Sequence, residues 1–143
     1  MASFQVAHAA DVVTVTVDGP LDLDGGLQLL VGVAQDAAVA GKNLLVDIRG
    51  VRGHLSFRDV YRLVQTFAEH PTAFGGRVAL LDGYNEELEK AQFFEASATE
   101  FGFDVRTFLD ESAARLWLGL PVDPPQPVPP TKPSTASTSR AQE

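Results

Sequence analysis

Apolar and polar positions along the chain follow two alternating patterns. Short runs of β-branched and other apolar residues are typical of strands, and the longer segments between them carry apolar residues every three or four positions, as amphipathic helices do. The resulting order is strand, strand, helix, strand, helix, strand, helix, strand, helix. Because strands that alternate with helices form βαβ units, the pattern predicts a mostly parallel sheet covered by helices.

The strand pattern occurs in five segments, which are residues 4–6, 12–17, 43–48, 77–82 and 104–108. The second is almost wholly β-branched, and we expect it to stop at Asp18-Gly19-Pro20 because glycine and proline interrupt strands. The first is weaker and would pair with it as a hairpin. The third and fourth are continuous apolar runs that suit strands buried on both faces, whereas the fifth alternates as an edge strand does.

The helical pattern occurs in four segments, which are residues 22–40, 56–70, 85–101 and 110–118. In the first, Gly41 is placed to end the helix. Its predicted core-facing positions are Leu23, Leu27, Leu30, Val31, Ala34, Ala37 and Ala38. Those of the second helix are Phe57, Val60, Tyr61, Val64, Phe67 and Ala68. Between the third strand and the second helix, residues 49–55 contain two glycines and are predicted to form a loop.

In the last two helices, the pattern predicts which residues face the core. The predicted stripe of the third helix is Leu88, Ala91, Phe94, Ala98 and Phe101. Phe93 is adjacent to Phe94 and cannot share one narrow face with it, so one of the two rings is expected to be exposed or to line a groove. Asp110 is placed to cap the last helix, which Leu116 and Trp117 would anchor to the core.

The chain divides into one folding unit and a tail. An apolar content of 45% and a charged content of 21% are ordinary for a globular domain, and 143 residues leave room for one. The predicted domain spans residues 1–120. Residues 121–143 are rich in proline, serine and threonine and have no periodicity, so we expect a disordered tail that is polyproline-like at its start.

Charge and cysteine content exclude several classes of function. The formal net charge is −8, and the charges of the tail cancel, so the folded part is acidic and would repel the phosphates of nucleic acid. Without cysteine there are no disulfides, no thiolate nucleophiles and no thiolate metal ligands. No apolar run reaches the roughly 20 residues that span a bilayer, and no secretory leader pattern is present, so the cytoplasm is the expected location.

No constellation of residues predicts an enzyme. The three histidines lie on different elements without the spacing of a helical metal site, so we expect no metal. His54, Asp47 and Ser56 contain the residue types of a hydrolase triad, but the sequence has no Gly-x-Ser-x-Gly elbow and places Asp47 inside a strand. Neither cluster of glycines matches a phosphate-binding fingerprint. The prediction is a chain without catalytic residues and without a cofactor.

Three stretches carry a resemblance to a known family: Gly19-Pro20-Leu21-Asp22, the strand from Leu44 to Val51, and the stretch from Arg106 to Leu118. Together with the order of elements, they resemble the STAS domain of bacterial anti-sigma factor antagonists and its SpoIIAA-like relatives, which are grouped with lipid-binding CRAL-TRIO modules. The resemblance covers about residues 4–119. It implies an α/β sandwich with a mixed, mostly parallel sheet of about five strands and about four helices largely on one face.

The resemblance also implies a function. A STAS domain of this kind would be a non-enzymatic regulatory or protein-interaction module whose partner is an anti-sigma-type kinase. The alternative, from the CRAL-TRIO side, is a module that binds a small apolar molecule. The sequence leaves the oligomeric state open, a dimer included.

One serine matches the position that the kinase phosphorylates in the antagonists. Counting without gaps from Asp47 places Leu55-Ser56-Phe57-Arg58 at their Asp-Ser-Ser-Gly turn, so Ser56 matches the phosphorylated serine while its neighbours differ. Ser56 also opens a helix, where a serine caps the free N–H groups. Both roles stay open, and the resemblance implies an interaction surface that includes Arg52, His54, Phe57 and Arg58.

Overall fold

In a computed structural model of the chain, residues 3–9, 11–36, 39–53, 55–83 and 88–120 are described. Within them the chain forms five strands and four helices. In chain order they are β1 (Ser3–His8), β2 (Val12–Leu21), α1 (Leu23–Gln35), β3 (Asn43–Gly53), α2 (Phe57–Ala68), β4 (Arg77–Leu81), α3 (Leu88–Glu100), β5 (Asp104–Phe108) and α4 (Glu111–Trp117). The predicted order of elements is confirmed. The predicted first residues of the third helix, 85–87, and the tail lie outside the described residues.

The strands form one mixed sheet in the order β1-β2-β3-β4-β5. β1 and β2 pair antiparallel as the predicted hairpin, and each of the later pairs is parallel. The parallel pairs follow from the connections, since a helix between two strands returns the chain to the same end of the sheet. The α/β class and the mostly parallel sheet are therefore as the sequence predicted.

β2 and β3 are longer than predicted. β2 continues through Gly19 and Pro20, and its last residues pair with the second half of β3 from Asp18↔Gly50 to Leu21↔Gly53. The expected stop after residue 17 was wrong, and so was the expected loop for residues 49–53, whereas Leu55 lies between β3 and α2 as expected. Among the described residues β1 pairs with β2 as far as Asp18, so none of them needs an N–H from Pro20 on that side.

The end of α1 also differs from the prediction. The helix ends at Gln35, with Asp36 in an extended conformation as the C-cap, five residues before the expected end at residue 40. Gly41 has a φ of 75° and serves the turn into β3 instead of ending the helix. Two of the positions expected in the apolar stripe, Ala37 and Ala38, lie outside the described residues.

The buried face of α1 matches the predicted stripe only in part, since Leu30 and Ala34 of that stripe pack against the core but are half-buried. Its buried residues are Gly26, Leu29 and Val33. A Cβ on Gly26 would lie 2.8 Å from a methyl group of Leu63 on α2, so glycine permits a close approach of the two helices. Because this helix is apolar at most positions, its periodicity alone did not identify the face that α2 and the sheet would cover.

The two faces of the sheet carry cores of unequal size. α1, α2 and α3 pack on one face over a large cluster that includes Val15, Leu44 and Phe67. α4 covers part of the other face over a smaller cluster that includes Leu45, Ala79 and Leu118. Successive residues of a strand point to opposite faces, which is why neighbours such as Leu44 and Leu45 belong to different clusters.

Aromatic rings divide between this core and the surface. Phe67 stacks on Phe74 with ring centroids 4.4 Å apart and meets Phe94 edge-on at 5.4 Å. Phe101, by contrast, is 47% exposed, and Leu116 is 71% exposed, so neither has the core role expected from the sequence. Phe101 directly follows the end of α3, and Leu116 lies on the side of α4 opposite the buried Ala114 and Leu118.

None of the helices in the described part of the chain is long and apolar enough to cross a membrane.

Candidate interaction site at the start of helix α2

Ser56 is the N-cap of α2, held in a reciprocal capping box with Asp59. Its backbone is extended, with φ −85° and ψ 169°. The Ser56 Oγ accepts a hydrogen bond from the Asp59 N–H at 3.1 Å, and the Ser56 N–H donates to Asp59 Oδ2 at 3.0 Å. A capping box satisfies two backbone donors that a helix end would otherwise leave unpaired, so the sequence Ser-x-x-Asp locally fixes where α2 begins.

The surroundings of Ser56 are exposed and basic. Ser56, Arg52, Arg58 and Arg62 all have exposed side chains. Neither Arg52 nor Arg58 forms an ion pair with another of the described residues. An overall acidic chain therefore presents positive charge, which no described acidic residue pairs with at Arg52 and Arg58, beside the amino terminus of a helix, itself the positive end of the helix dipole.

Four aromatic residues form a surface that crosses from α2 to α3. We call Phe57, Tyr61, Phe93 and Phe101 the aromatic surface. Phe57 meets Phe93 edge-on with centroids 5.4 Å apart, and Tyr61 lies 6.5 Å from Phe93 and 6.4 Å from Phe101. Phe57, Tyr61 and Phe101 are 48%, 41% and 47% exposed. A contiguous group of half-exposed rings is the kind of surface that binding partners cover.

Phe93 and Phe94 explain how this surface arises. Phe94 packs against the core cluster beside Phe67, whereas Phe93 points outward to Phe57 and Tyr61. Both rings are half-buried, so the expected exposure of one ring is not found, but the two rings do face different surroundings, as their adjacent positions required. The sequence analysis had placed Phe57 in an interaction surface but had also assigned Phe57 and Tyr61 to the core-facing stripe of α2, which was wrong because both rings are exposed.

Asp47 belongs to a different part of the molecule. Its neighbours Val46 and Ile48 pack on the cluster that α1, α2 and α3 cover. Because successive residues of a strand point to opposite faces, Asp47 faces the side of the sheet that carries α4. There the Arg49 Nη2 donates to Asp47 Oδ2 at 2.7 Å and approaches Glu111 Oε1 at 3.4 Å. The hydrogen bonds from Arg49 lower the pKa of the Asp47 carboxyl. An ion-paired carboxylate on the opposite face of the sheet cannot assist Ser56, which removes the hydrolase arrangement.

The histidines have separate surroundings. His8 Nε2 lies 2.9 Å from Asp36 Oδ2 at the edge of the sheet. The ring centroids of His70 and Phe74 are 6.4 Å apart. His54, which the sequence analysis assigned to the interaction surface, lies outside the described residues. In the described ranges, no group of three or more His, Asp or Glu side chains could hold a metal ion.

Comparisons with known proteins support the fold. No protein-family model matches the chain, and no curated protein matches its sequence. Among solved structures, the chain is similar to the anti-sigma factor antagonist SpoIIAA in its unphosphorylated form, with a TM-score of 0.55 and 17% identity over 84% of this chain and 100% of that one. It is also similar to an anti-sigma factor antagonist from Mycobacterium paratuberculosis, with a TM-score of 0.54 and 16% identity over 83% of this chain and 95% of that one.

At these identities the likeness establishes the fold. The chain has a STAS/SpoIIAA-like fold, as the resemblance in the sequence implied. A fold does not carry a function by itself, so the function has to be argued from the surface described above.

Proposed function

We propose that this chain is a non-enzymatic regulatory module that binds a protein partner through the start of α2 and the aromatic surface. The observation that carries the proposal is the group of exposed rings of Phe57, Tyr61 and Phe101 around the half-buried ring of Phe93, beside the capped helix end. Aromatic residues dominate the energetics of protein interfaces because they bury large areas at little entropic cost. That structurally similar proteins are anti-sigma factor antagonists supports a regulatory role.

The chemistry of α2 suggests the character of the partner. Phe57 and Tyr61 are four residues apart, and so are Arg58 and Arg62, so the exposed side of the helix carries an aromatic row beside a basic row. The partner surface that complements it is apolar and flanked by carboxylates. An anti-sigma-type kinase is the partner that the fold favours, and steering by the basic row would speed association on an otherwise acidic protein.

Ser56 serves this site mainly as a cap. Its hydroxyl already accepts a hydrogen bond from the Asp59 N–H, and the Asp59 carboxylate lies 3.0 Å from the Ser56 nitrogen. A phosphate on Ser56 would gain from Arg52 and Arg58 but would stand next to that carboxylate, and like charges at such distances repel. We therefore expect partner binding that does not depend on phosphorylation of Ser56.

The test is affinity capture from native lysate with three forms of the chain, analysed by quantitative mass spectrometry. The double variant Phe57→Ala/Tyr61→Ala removes the centre of the aromatic surface. Leu116→Ala is the matched control, because Leu116 is 71% exposed but lies on α4 at the other face of the sheet. We expect a protein that is captured by the wild type and the control and lost with the double variant. Identical captures by all three forms would contradict the proposal.

A further inference from the structure

The two edges of the sheet differ in how their outer sides are protected. At β5, the Thr107 N–H donates to the Glu95 carboxylate at 2.6 Å, and the strand carries the charged residues Asp104 and Arg106. Charges and occupied backbone groups keep other strands from adding to an edge. β1, at the opposite edge, reads Ser-Phe-Gln-Val-Ala-His, with no proline, lysine, arginine or carboxylate, and it pairs with β2 in one unbroken register. Among the described residues, no other segment pairs along the outer side of β1, so this edge is open to a further strand.

One hydrogen bond of the hairpin shows which backbone groups of β1 point outward. The Ala9 N–H donates to the Val12 carbonyl at 2.9 Å, so these two residues form a hydrogen-bonded pair. Hydrogen-bonded and non-hydrogen-bonded pairs alternate along an antiparallel ladder. The register of β1 on β2 therefore places Phe4, Val6 and His8 in non-hydrogen-bonded pairs. The N–H and C=O groups of these three residues point away from the sheet.

The spacing of the outward groups allows β1 to pair with a second copy of itself. In the antiparallel register that places Val6 opposite Val6 of the second copy, Phe4 lies opposite His8 and His8 opposite Phe4. All three are then hydrogen-bonded pairs, so the outward groups of both strands form about six hydrogen bonds. A shift by two residues leaves one of the three outside the paired strands, and a shift by one residue brings side chains of opposite faces together. One register thus satisfies every outward group of β1.

The side chains along this edge fit the same register. Val6 packs against the core on the face that carries α1, and Phe4 lies on that face too. A Cβ on Gly32 of α1 would lie 3.6 Å from the Phe4 ring, so the helix has no side chain there, and the ring stays 42% exposed. In the paired register His8 of the second copy would lie beside this ring, and cross-strand aromatic pairs stabilise sheets.

We propose that β1 is the interface of a homodimer, in which the β1 strands of two copies pair antiparallel about Val6 and join the two sheets into one continuous sheet. A second copy is the occupant that the edge favours, because β1 is complementary to itself in a single register. The pairing covers backbone groups and few apolar side chains. We therefore expect a dimer that forms at micromolar concentrations and dissociates on dilution.

The dimer would present two copies of the aromatic surface. Phe4 of β1 lies next to Gly32 of α1, and α1 packs against α2, whereas the aromatic surface crosses from α2 to α3 on the far side of α1. Pairing at β1 leaves that surface uncovered in both copies. A partner that offers two matching surfaces would then bind with greater avidity than it binds one copy. The dimer itself does not depend on the proposed function.

The first experiment measures the mass of the full chain by sedimentation velocity from about 1 µM to about 500 µM. We expect a reversible rise from the mass of one chain to that of two. The variant Phe57→Ala/Tyr61→Ala is the control for association through the aromatic surface, and it should dimerise as the wild type does. A monomer at every concentration, or loss of the dimer in this control, would overturn the proposal.

The second experiment tests the register with charge pairs. Gln5 of one copy would lie directly opposite Ala7 of the other, and both side chains are exposed. Gln5→Lys/Ala7→Lys places like charges opposite each other, whereas Gln5→Lys/Ala7→Glu places opposite charges there. Dimerisation should weaken at least about tenfold in the first variant and be kept in the second. Equal dimerisation of the two variants would overturn the register.

Melting curves verify that both charge variants fold. Should the first fail to fold, Gln5→Glu/Ala7→Glu replaces it, since two carboxylates repel as two ammonium groups do.

The third experiment locates the contact directly. In a mixture of isotope-labelled and unlabelled wild-type chains at high concentration, filtered NMR spectra report only contacts between copies. The α protons of Gln5 and Ala7 should show such a contact, because the Cα atoms of a non-hydrogen-bonded antiparallel pair are about 4.5 Å apart. A dimeric sample without this contact would show that the copies associate through another surface and would overturn the proposal.

Discussion

Arg77 and Trp117 are joined by two contacts across the end of the sheet. The Arg77 Nη1 donates a hydrogen bond to the Trp117 carbonyl at 2.6 Å, and its guanidinium carbon lies 5.3 Å from the centre of the indole ring. Arg106 approaches the same ring at 5.4 Å, and Phe108 packs beside it at 5.6 Å. The short helix α4 is thus attached to β4 and β5 by cation–π contacts in addition to apolar burial.

Trp117→Ala should destabilise the fold by about 2–4 kcal/mol, below the range for a fully buried tryptophan because this ring is only half-buried. Leu116→Ala, its neighbour at 71% exposure, should change the free energy of unfolding by less than about 0.5 kcal/mol. Chemical denaturation of both variants measures the difference. Equal and small effects would mean that the indole contributes little to the attachment of α4.

Ser56→Ala should cost about 1 kcal/mol of stability, because it leaves the Asp59 N–H without its capping acceptor. Ser56→Asp should preserve stability, since aspartate caps as well as serine and suits the positive end of the helix dipole. Melting curves measure both. In the capture experiment, a partner that is held by wild type and Ser56→Ala but lost with Ser56→Asp at unchanged stability would favour a phosphorylation switch over a simple cap.

Acid should weaken the fold partly through Asp47. An unperturbed aspartate has a pKa of 3.8, and the hydrogen bonds from Arg49 lower the pKa of Asp47 in the folded chain. A group with a lowered folded pKa contributes its full stability above the unfolded value and loses it as the pH falls from there through the folded pKa. We therefore expect Asp47→Asn to be less stable than the wild type at neutral pH and to lose less stability below about pH 4.

Denaturation midpoints between pH 7 and pH 2 check this prediction. Asp11→Asn is the control, because Asp11 is exposed in the hairpin turn and has no ion pair among the described residues. The acid profile of the control should follow the wild type. A parallel profile for Asp47→Asn would show that the contact with Arg49 does not contribute to stability.

Removal of residues 121–143 should change the melting temperature by less than about 3 °C, because a tail of this composition cannot bury enough apolar surface to offset the entropy of ordering it. The structure also shows that the last residue before the tail is buried. Leu120 is 9% exposed, and its N–H donates to the Arg115 carbonyl at 2.9 Å. Leu120→Ala in the shortened chain should therefore cost about 2 kcal/mol, and a larger loss from the truncation itself would indicate that the tail packs on the domain.

Local sequence signals predicted single elements well and their ends less well. Ser56 and Asp110 begin helices where their capping chemistry predicted, because a cap acts within one turn. β2 and β3 run on past their local stop signals because each supplies the other with hydrogen-bond partners from Asp18 to Gly53. The length of those strands depends on a partner distant in the sequence, and no local window contains that information.

The same division applies to the candidate site. The serine, its cap and the neighbouring arginines follow from counting along the chain, and so does the class of fold. The aromatic surface joins Phe57 and Tyr61 of α2 to Phe93 of α3 and to Phe101 just after it. An apolar cavity between the sheet and the helices α1, α2 and α3 is likewise lined by side chains from both layers. By itself, the sequence determined the order of elements, the α/β class and the position of the capped helix end, because these depend on periodicity and on interactions within a few residues. Only the tertiary structure decided which face of α1 is buried, which ring of the Phe93-Phe94 pair packs on the core and where packing leaves a void, because those outcomes depend on what stands opposite each residue.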